Sequence, residues 1–166
     1  MNVTTLLNKA YFSPRLKEIE EYATHAGELQ QCVLQRLVGT ASDTEWGKKY
    51  DYASILTYED FRNRLPIQTY EEIKPYVTRL RAGEQNLLWP SEIRWFAKSS
   101  GTTNDKSKFI PVSRESLRDT HYKGGKDAVA IYLGQNPESR FFSGKGLILG
   151  GSHAPNLNTN HSLVGD

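Results

Sequence analysis

Apolar residues recur at near-helical spacing along the first part of the 166-residue chain. Ser13 and Pro14 offer a capping hydroxyl and a proline suited to the first helical position, so we predict that a helix begins there. Gly27 and the polar residues 28–31 interrupt the apolar stripe without ending it. The stripe predicts one helix to about Gly39 and consists of Leu16, Ile19, Ala23, Ala26, Cys32, Val33, Leu34 and Leu37.

Three shorter helices are predicted between residues 43 and 83 from their capping signals. Each begins at a short polar residue that suits a helix N-cap: Asp43 or Thr44, then Thr57, then Thr69. Asp60 and Glu72 stand three positions after the last two caps, which is the spacing of a capping box. Glu71 beside Glu72 also suggests a paired acid–base site, but adjacent residues diverge on a helix, which favours the capping role. Residues 1–90 are therefore predicted to be mainly helical scaffold.

Two short apolar runs flank a polar loop in the second half of the chain. Residues 93–97 and 109–112 are rich in β-forming side chains and predict a strand on each side of the loop. Ser113 then caps a helix predicted to end at Gly134. The Gly124–Gly125 pair inside this helix weakens it and indicates close packing or a bend.

A last apolar run, residues 146–151, predicts a buried strand. A helix between two strands is the crossover of a parallel sheet, so the predicted class is α/β, with N-terminal helices and part of a layered sheet domain. Residues 152–166 form a polar tail. Ser152 beside His153 suggests a nucleophile and its base, but sequence neighbours seldom reach that geometry and no supporting acid is evident, so we exclude it.

The loop from Lys98 to Lys108 concentrates the chemistry of the chain. Hydroxyls donate hydrogen bonds, glycine permits close backbone approach, and ammonium groups balance negative charge, as a polyphosphate site requires. A polar hairpin with solvated lysines is an equally good interpretation of these residue types. The loop has one glycine and leads into a strand, so it does not match a Walker A motif, and a P-loop kinase is disfavoured. Its candidate phosphate-binding residues are Ser99, Ser100, Gly101, Thr102, Thr103, Lys106 and Lys108.

The loop resembles the phosphate-binding signature of the adenylate-forming superfamily of acyl-CoA synthetases, peptide synthetase adenylation domains and luciferases. Within that superfamily it is most similar to the Gretchen Hagen family, the auxin-responsive acyl acid amido synthetases. The resemblance covers most of the chain from about Trp46 to about Gly151, including residues 57–62, 65–67 and 69–73. Asn104 departs from the glycine that many superfamily members have after the two threonines, although Asn tolerates a left-handed backbone.

The resemblance implies an ATP-dependent reaction with two steps. A carboxylic acid attacks the α-phosphate of ATP to give an acyl-adenylate, and the amine of an amino acid then displaces AMP. The loop would hold the triphosphate together with Mg²⁺. The helix after the loop helps to line the acyl pocket in such enzymes, which makes Arg118, His121 and Tyr122 candidates for that role.

The resemblance also implies that this chain is an N-terminal portion of the large adenylate-forming domain, with an incomplete fold. The family's adenine and ribose motifs and its catalytic lysine are expected beyond residue 166, so the catalytic residue is unknown. The chain alone is expected to bind ATP weakly and to adenylate nothing. Its sheet edges would then be exposed and would favour self-association.

A second hypothesis is a non-catalytic nucleotide- or anion-binding module, or a truncated paralogue that acts with a partner. It predicts a compact, stable chain and a natural stop after residue 166. The fragment hypothesis predicts exposed sheet edges and a longer reading frame. Pyrophosphate release dependent on a carboxylic acid would discriminate the two hypotheses.

The charge balance and the cysteine count limit the classes of partner and the compartment expected for this protein. Twenty-one basic and 19 acidic residues give a net charge of +2, so no nucleic-acid surface is indicated. The single Cys32 excludes an internal disulfide and suits the cytoplasm. No secretory signal, membrane span or metal-ligand spacing is evident. The expected partners are the small carboxylic acid and amino acid substrates that the family resemblance implies.

Overall fold

The computed structural model describes residues 3–99, 108–147, 149, 156–157 and 163–164. The chain divides into two compact units, Met1–Leu29 with Glu115–Gly150 and Gln30–Arg114 with Gly151–Asp166, and each is described by itself. The helices are α1 (Val3–Thr24), α2 (Ala26–Ala41), α3 (Glu45–Lys49), α4 (Tyr58–Arg64), α5 (Tyr70–Arg81), α6 (Arg114–Ser116) and α7 (Lys123–Gln135). A 3₁₀ turn spans Tyr52–Ser54, and a π-helical stretch spans Leu117–Tyr122.

Helix α1 begins ten residues before the predicted start, and Pro14 lies inside it. The prediction that Ser13 and Pro14 open this helix is therefore wrong. A proline cannot donate to the carbonyl four residues earlier, which here belongs to Ala10. The Ser13 hydroxyl donates a long hydrogen bond of 3.5 Å to that same carbonyl, so the side chain compensates locally for the lost donor.

The predicted single helix is two helices that meet at His25. Backbone bonding continues through the break, because the N–H of His25 donates to Glu21 at 2.9 Å and its carbonyl accepts from Leu29 at 3.0 Å. The imidazole is exposed and lies 2.8 Å from the Thr24 hydroxyl. Gly27 and the polar residues 28–31 lie inside α2, so the break comes before the polar interruption seen in the sequence, and the prediction of one continuous helix is wrong.

Helices α1 and α7 pack together in the first unit around one ion pair. The guanidinium of Arg15 donates two hydrogen bonds to the Asp127 carboxylate, one of them at 2.9 Å, and a third to the Tyr22 hydroxyl at 2.7 Å. The Arg15 side chain is 11% exposed. Arg15 holds the pKa of the Asp127 carboxyl below its ordinary value. This pair is the main polar tie between the two helices.

Gly124 and Gly125 lie in the α-helix α7, and the departure from regular geometry lies before them, at Leu117–Tyr122, and not at the glycines as predicted. A Cβ atom on either glycine would meet nothing within 4 Å. Close packing therefore does not explain these glycines. A π-helical stretch inserts extra chain into a helix, and it supplies the departure from regular geometry.

The short helices of the second unit begin at the predicted caps. The Thr44 hydroxyl accepts from the N–H of Gly47 at 2.9 Å at the start of α3. Asp60 completes a capping box at Thr57 by accepting from the Thr57 N–H at 2.9 Å. Glu72 accepts from the N–H of Thr69 in the same way at the start of α5. The capping interpretation of Glu72 is therefore confirmed.

The core of the second unit lies beneath α5 and the first strand. It consists of Val77, Leu80, Leu87, Ile93 and Phe96, with Tyr76, Leu88 and Phe109 packed against it. Burial of apolar surface stabilises a fold by about 25 cal/mol per Å². The burial of these side chains therefore supplies the main hydrophobic stabilisation of this unit. The core therefore holds the strand that leads into the loop.

Two strands flank the loop as predicted, β1 (Trp95–Lys98) and β2 (Phe109–Val112), and they pair antiparallel. The buried strand predicted at residues 146–151 is wrong where the structure describes it. Leu147 and Leu149 are 89% and 90% exposed and lie in no strand, so the described part of the chain contains no parallel crossover. An apolar run becomes a buried strand only where another surface covers it, and no described residue covers these leucines.

The predicted polar tail contains two short strands, β3 (Asn156–Leu157) and β4 (Leu163–Val164), which also pair antiparallel. Ser152 and His153 lie outside the described residues.

Candidate functional site: the neck of the loop

The described part of the candidate site is the neck of the loop, which we define as Ser99 and Lys108. The N–H of Ser99 donates to the Lys108 carbonyl at 2.9 Å, and the N–H of Lys108 donates to the Ser99 hydroxyl oxygen at 3.0 Å. A serine hydroxyl that accepts one hydrogen bond keeps its own proton for donation. Ser99 therefore closes the neck and still carries a donor for a ligand.

Lys108 places a positive charge at the neck. Its side chain is exposed, and its ammonium nitrogen lies 5.5 Å from the centre of the Tyr70 ring. A cation over an aromatic face is attracted by the ring quadrupole, which restricts where the charge goes. The neck therefore combines a hydroxyl donor with a partly oriented ammonium group.

Tyr70 ties helix α5 to the exit of the loop. Its hydroxyl accepts from the N–H of Phe109 at 2.9 Å and donates to the Phe109 carbonyl at 3.4 Å. Residue pairs alternate along an antiparallel ladder, so hydrogen bonding between Ser99 and Lys108 leaves the N–H and C=O of Phe109 facing away from β1. The Tyr70 hydroxyl satisfies both groups.

Phe109 is also held through its ring. The guanidinium carbon of Arg81, in the last turn of α5, lies 3.7 Å from the centre of the Phe109 ring. Tyr70 and Arg81 therefore bring the two ends of α5 onto one residue of β2. This fixes the strand directly after Lys108.

The entry side of the loop is positioned by Gln85. Its side-chain oxygen accepts from the Ile93 N–H at 2.9 Å, and its amide nitrogen donates to the Ile93 carbonyl at 3.2 Å. Ile93 is a buried core residue two positions before β1. The Gln85 side chain thus fixes the backbone that leads into β1.

A charged cluster near the start of α3 is structural. Arg79 donates to both oxygens of Glu45, at 2.8 and 2.6 Å, and also pairs with Glu84. Arg79 lowers the pKa of both carboxyls below their ordinary values through these hydrogen bonds. Two ionised carboxylates locked on one guanidinium do not form an acid–base pair near neutral pH, so we assign them no chemistry.

The acyl-pocket candidates lie in the first unit, in the π-helical stretch. Arg118 is paired with its neighbour Asp119 at 2.6 and 3.0 Å, and the rings of His121 and Tyr122 are 5.4 Å apart. All three candidate side chains are exposed. They lie in π-helical backbone and not in a regular α-helix, which alters the directions in which neighbouring side chains leave the helix.

Five of the predicted phosphate-binding residues, Ser100, Gly101, Thr102, Thr103 and Lys106, lie outside the described residues. The structure describes Ser99 and Lys108 and brings them together. Sequence reasoning missed Tyr70 and Gln85, because each acts on a residue distant in the chain and no local pattern indicates such a contact. Among the described residues, no group of His, Cys, Asp or Glu side chains is arranged to hold a metal ion. Nor does any described helix have the length and apolar character needed to cross a membrane.

Residues 15–161 match the family described as the GH3 family N-terminal domain. The chain is 32% identical over 104 residues to indole-3-acetic acid-amido synthetase GH3.5 of Arabidopsis thaliana, covering 62% of this chain and 17% of that protein. It is 29% identical over 106 residues to jasmonoyl–L-amino acid synthetase JAR4 of Nicotiana attenuata, covering 63% of this chain and 18% of that protein. The chain thus spans less than a fifth of these relatives.

The fold resembles solved structures of one protein, GH3.15 acyl acid amido synthetase. One of these structures gives a TM-score of 0.79 at 23% identity and covers 95% of this chain and 27% of the other. Another, in complex with 2,4-DB, gives 0.77 at 24% identity over 90% of this chain and 26% of the other. The predicted fold class, an incomplete α/β fold with N-terminal helices, is confirmed by this likeness.

Proposed function

This chain belongs to the GH3 family, and from that membership we propose that it supplies the phosphate-binding loop of an ATP-dependent acyl acid amido synthetase. The observation that carries the proposal is the neck. It joins a hydroxyl that can donate a hydrogen bond to a lysine held over an aromatic ring, at the two ends of the loop. Both groups suit the oxygen atoms of a triphosphate.

In the proposed reaction, a small carboxylic acid attacks the α-phosphate of ATP, and the bond to the leaving pyrophosphate breaks. Hydroxyl and backbone donors of the loop, with Lys106 and Lys108, offset the negative charge that builds up on the leaving group. The amine of an amino acid then attacks the acyl carbon, forms the amide and releases AMP. The named relatives conjugate indole-3-acetic acid and jasmonic acid, and we propose the same class of acid here.

Magnesium fits this proposal as a companion of ATP. No carboxylate or imidazole cluster among the described residues is arranged to bind the ion by itself, so the phosphates would supply most of its ligands. Its chemistry would be to neutralise charge on the phosphates. Ser99 and Lys108 would act beside it by orienting the triphosphate.

The test is pyrophosphate release, measured with ATP and a panel of aromatic and aliphatic acids. It uses the longest protein that contains this segment, because the chain spans less than a fifth of the named synthetases. We expect release that depends on the acid and falls at least tenfold in Ser100→Ala and Lys108→Ala, since each change removes a phosphate contact worth about 1.4 kcal/mol or more. Lys17→Ala, an exposed lysine on α1, is the matched control and should leave release unchanged.

If Ser100→Ala and Lys108→Ala released pyrophosphate as fast as the control Lys17→Ala, the loop would be excluded as the phosphate site. ATP binding without release, with any acid, would favour the second candidate, a non-catalytic nucleotide-binding module.

A further inference from the structure

We propose that Tyr70 is a positioning residue for the phosphate loop. Tyr70 sets the affinity for a phosphate-bearing ligand, because its ring contacts the Lys108 ammonium group and its hydroxyl bonds the Phe109 backbone. This inference rests on the proposed function and assigns a second element, the start of α5, to the same site. Tyr70 does so through two separate parts of its side chain, the hydroxyl and the ring.

The hydroxyl fixes the backbone at the loop exit. It bonds both the N–H and the C=O of Phe109, at 2.9 and 3.4 Å. These are the two backbone groups of β2 that face away from β1 nearest the loop. With both held, the strand cannot rotate or slip without breaking two hydrogen bonds, so Lys108 leaves the strand at a fixed point.

The ring fixes the charge. The ammonium nitrogen of Lys108 lies 5.5 Å from the ring centre, within the range of a cation–π contact. A free lysine side chain samples many rotamers, and ordering it on binding costs affinity. A ring that already restricts those rotamers reduces that cost.

Tyr70 itself is well placed for this role because α5 is firmly held. It is the first residue of α5 and lies inside the capping box that Thr69 and Glu72 form. The buried Val77 and Leu80 of the same helix anchor it in the core. The tyrosine therefore transmits the rigidity of the core to the loop exit.

The experiment measures ATP affinity and amide hydrogen exchange in parallel for the whole chain. Tyr70→Phe removes only the hydroxyl, and Tyr70→Leu removes the ring as well. Tyr58→Phe, an exposed tyrosine on α4, is the matched control. We expect faster exchange at Phe109 in both Tyr70 variants. We expect the dissociation constant for ATP to rise about 3- to 10-fold in Tyr70→Phe, and about 2- to 5-fold further in Tyr70→Leu.

A double-mutant cycle separates positioning from simple structural support. The cycle compares Tyr70→Phe with Tyr70→Leu, once with Lys108 present and once with Lys108→Ala. If the ring acts through the lysine, the extra loss of ATP affinity in Tyr70→Leu is smaller when Lys108→Ala is present. A ring that only supports the fold would give the same loss in both backgrounds, which would overturn this part of the proposal.

Two further outcomes are distinguishable. Faster exchange at Phe109 with unchanged ATP affinity, while Lys108→Ala still weakens binding, would overturn the positioning role and leave the proposed function standing. Failure of the wild-type chain to bind ATP, or of Lys108→Ala to weaken it, would overturn the phosphate site itself, and the role of Tyr70 with it.

Discussion

Among the residues that the structure describes, the second unit buries nine hydrophobic side chains, whereas the first unit buries two, Ala130 and Leu133. In the first unit, the Arg15–Asp127 pair joins α1 to α7. A ring contact between Phe12 and Phe142, whose centres lie 6.1 Å apart, joins α1 to the segment that follows α7. The first unit also exposes large apolar side chains, including Val3, Leu6, Leu7 and Tyr11 on α1.

This difference indicates which unit can hold a site rigidly. The neck of the loop belongs to the second unit, where a packed core and capped helices fix the position of the flanking strands. The first unit depends on a few directional contacts, each of which contributes a larger share of its stability. The two units are therefore expected to respond differently to substitution.

The three tryptophans allow the two units to be followed separately. Trp46, Trp89 and Trp95 all lie in the second unit, so tryptophan fluorescence reports its unfolding, while far-UV circular dichroism reports helices of both. Transitions that do not coincide between the two probes would show that the units unfold independently.

The largest expected effect is in the second unit. A Cβ atom on Gly47 would lie 2.0 Å from the Ala41 carbonyl oxygen and 2.8 Å from that of Ser42, so Gly47→Ala must move backbone. We expect a loss of more than about 3 kcal/mol in the free energy of unfolding, measured by urea with fluorescence detection. Gly39→Ala on α2 is the control, because a Cβ there meets nothing within 4 Å. Equal stability of the two variants would contradict the packing of α3.

The next effect is in the first unit. Arg15→Gln leaves the partly buried Asp127 carboxylate without its guanidinium, and we expect a loss of about 1–3 kcal/mol. The transition seen by circular dichroism should move to lower urea while the fluorescence transition stays in place. Lys17→Gln, an exposed position on the same helix, should change neither. A shift of both probes together would show that the two units unfold as one.

A smaller effect of opposite sign is expected in α7. Gly125→Ala should stabilise the first unit by about 1 kcal/mol, because alanine favours the helix and its Cβ enters open space. Gly134→Ala on the same helix is the contrast, since its Cβ would lie 2.9 Å from a Leu16 methyl carbon. We expect thermal unfolding by circular dichroism to show a gain for the first substitution and none for the second.

The smallest expected effect is a pH dependence in the second unit. The Thr69 N–H lowers the pKa of Glu72, and contacts to Thr57 lower that of Asp60. A depressed pKa in the folded state means that the stabilisation is complete above the ordinary carboxyl pKa and is lost as the pH falls through the folded value. Glu72→Gln should therefore give a shallower loss of stability below about pH 4.5 than the wild type. The control Glu20→Gln, at an exposed position of α1, should follow the wild-type curve.

Local signals in the sequence predicted local structure. The capping boxes at Thr57 and Thr69 depend only on residues three positions apart, and both are present. Pro14 shows the limit of such signals, because it suits a helix start and yet lies inside α1. The run around Leu147 shows another limit, since burial requires a covering surface that the run itself does not specify.

The sequence indicated which side chains form the candidate site, but not the side chains that hold them in place. Ser99 and Lys108 were identified by residue type and by resemblance, and their pairing follows from the two flanking strands. Tyr70 lies 39 positions from its partner Phe109, so its role depends on tertiary structure that no local pattern encodes.

The most direct test of the central claim is a two-dimensional NMR titration of the isotopically labelled chain with ATP, pyrophosphate and adenosine. A phosphate site at the neck predicts that ATP and pyrophosphate shift the amide resonances of Ser99, Lys108 and Phe109, and that adenosine does not. Shifts that are absent from the neck, or that adenosine reproduces there, would contradict it.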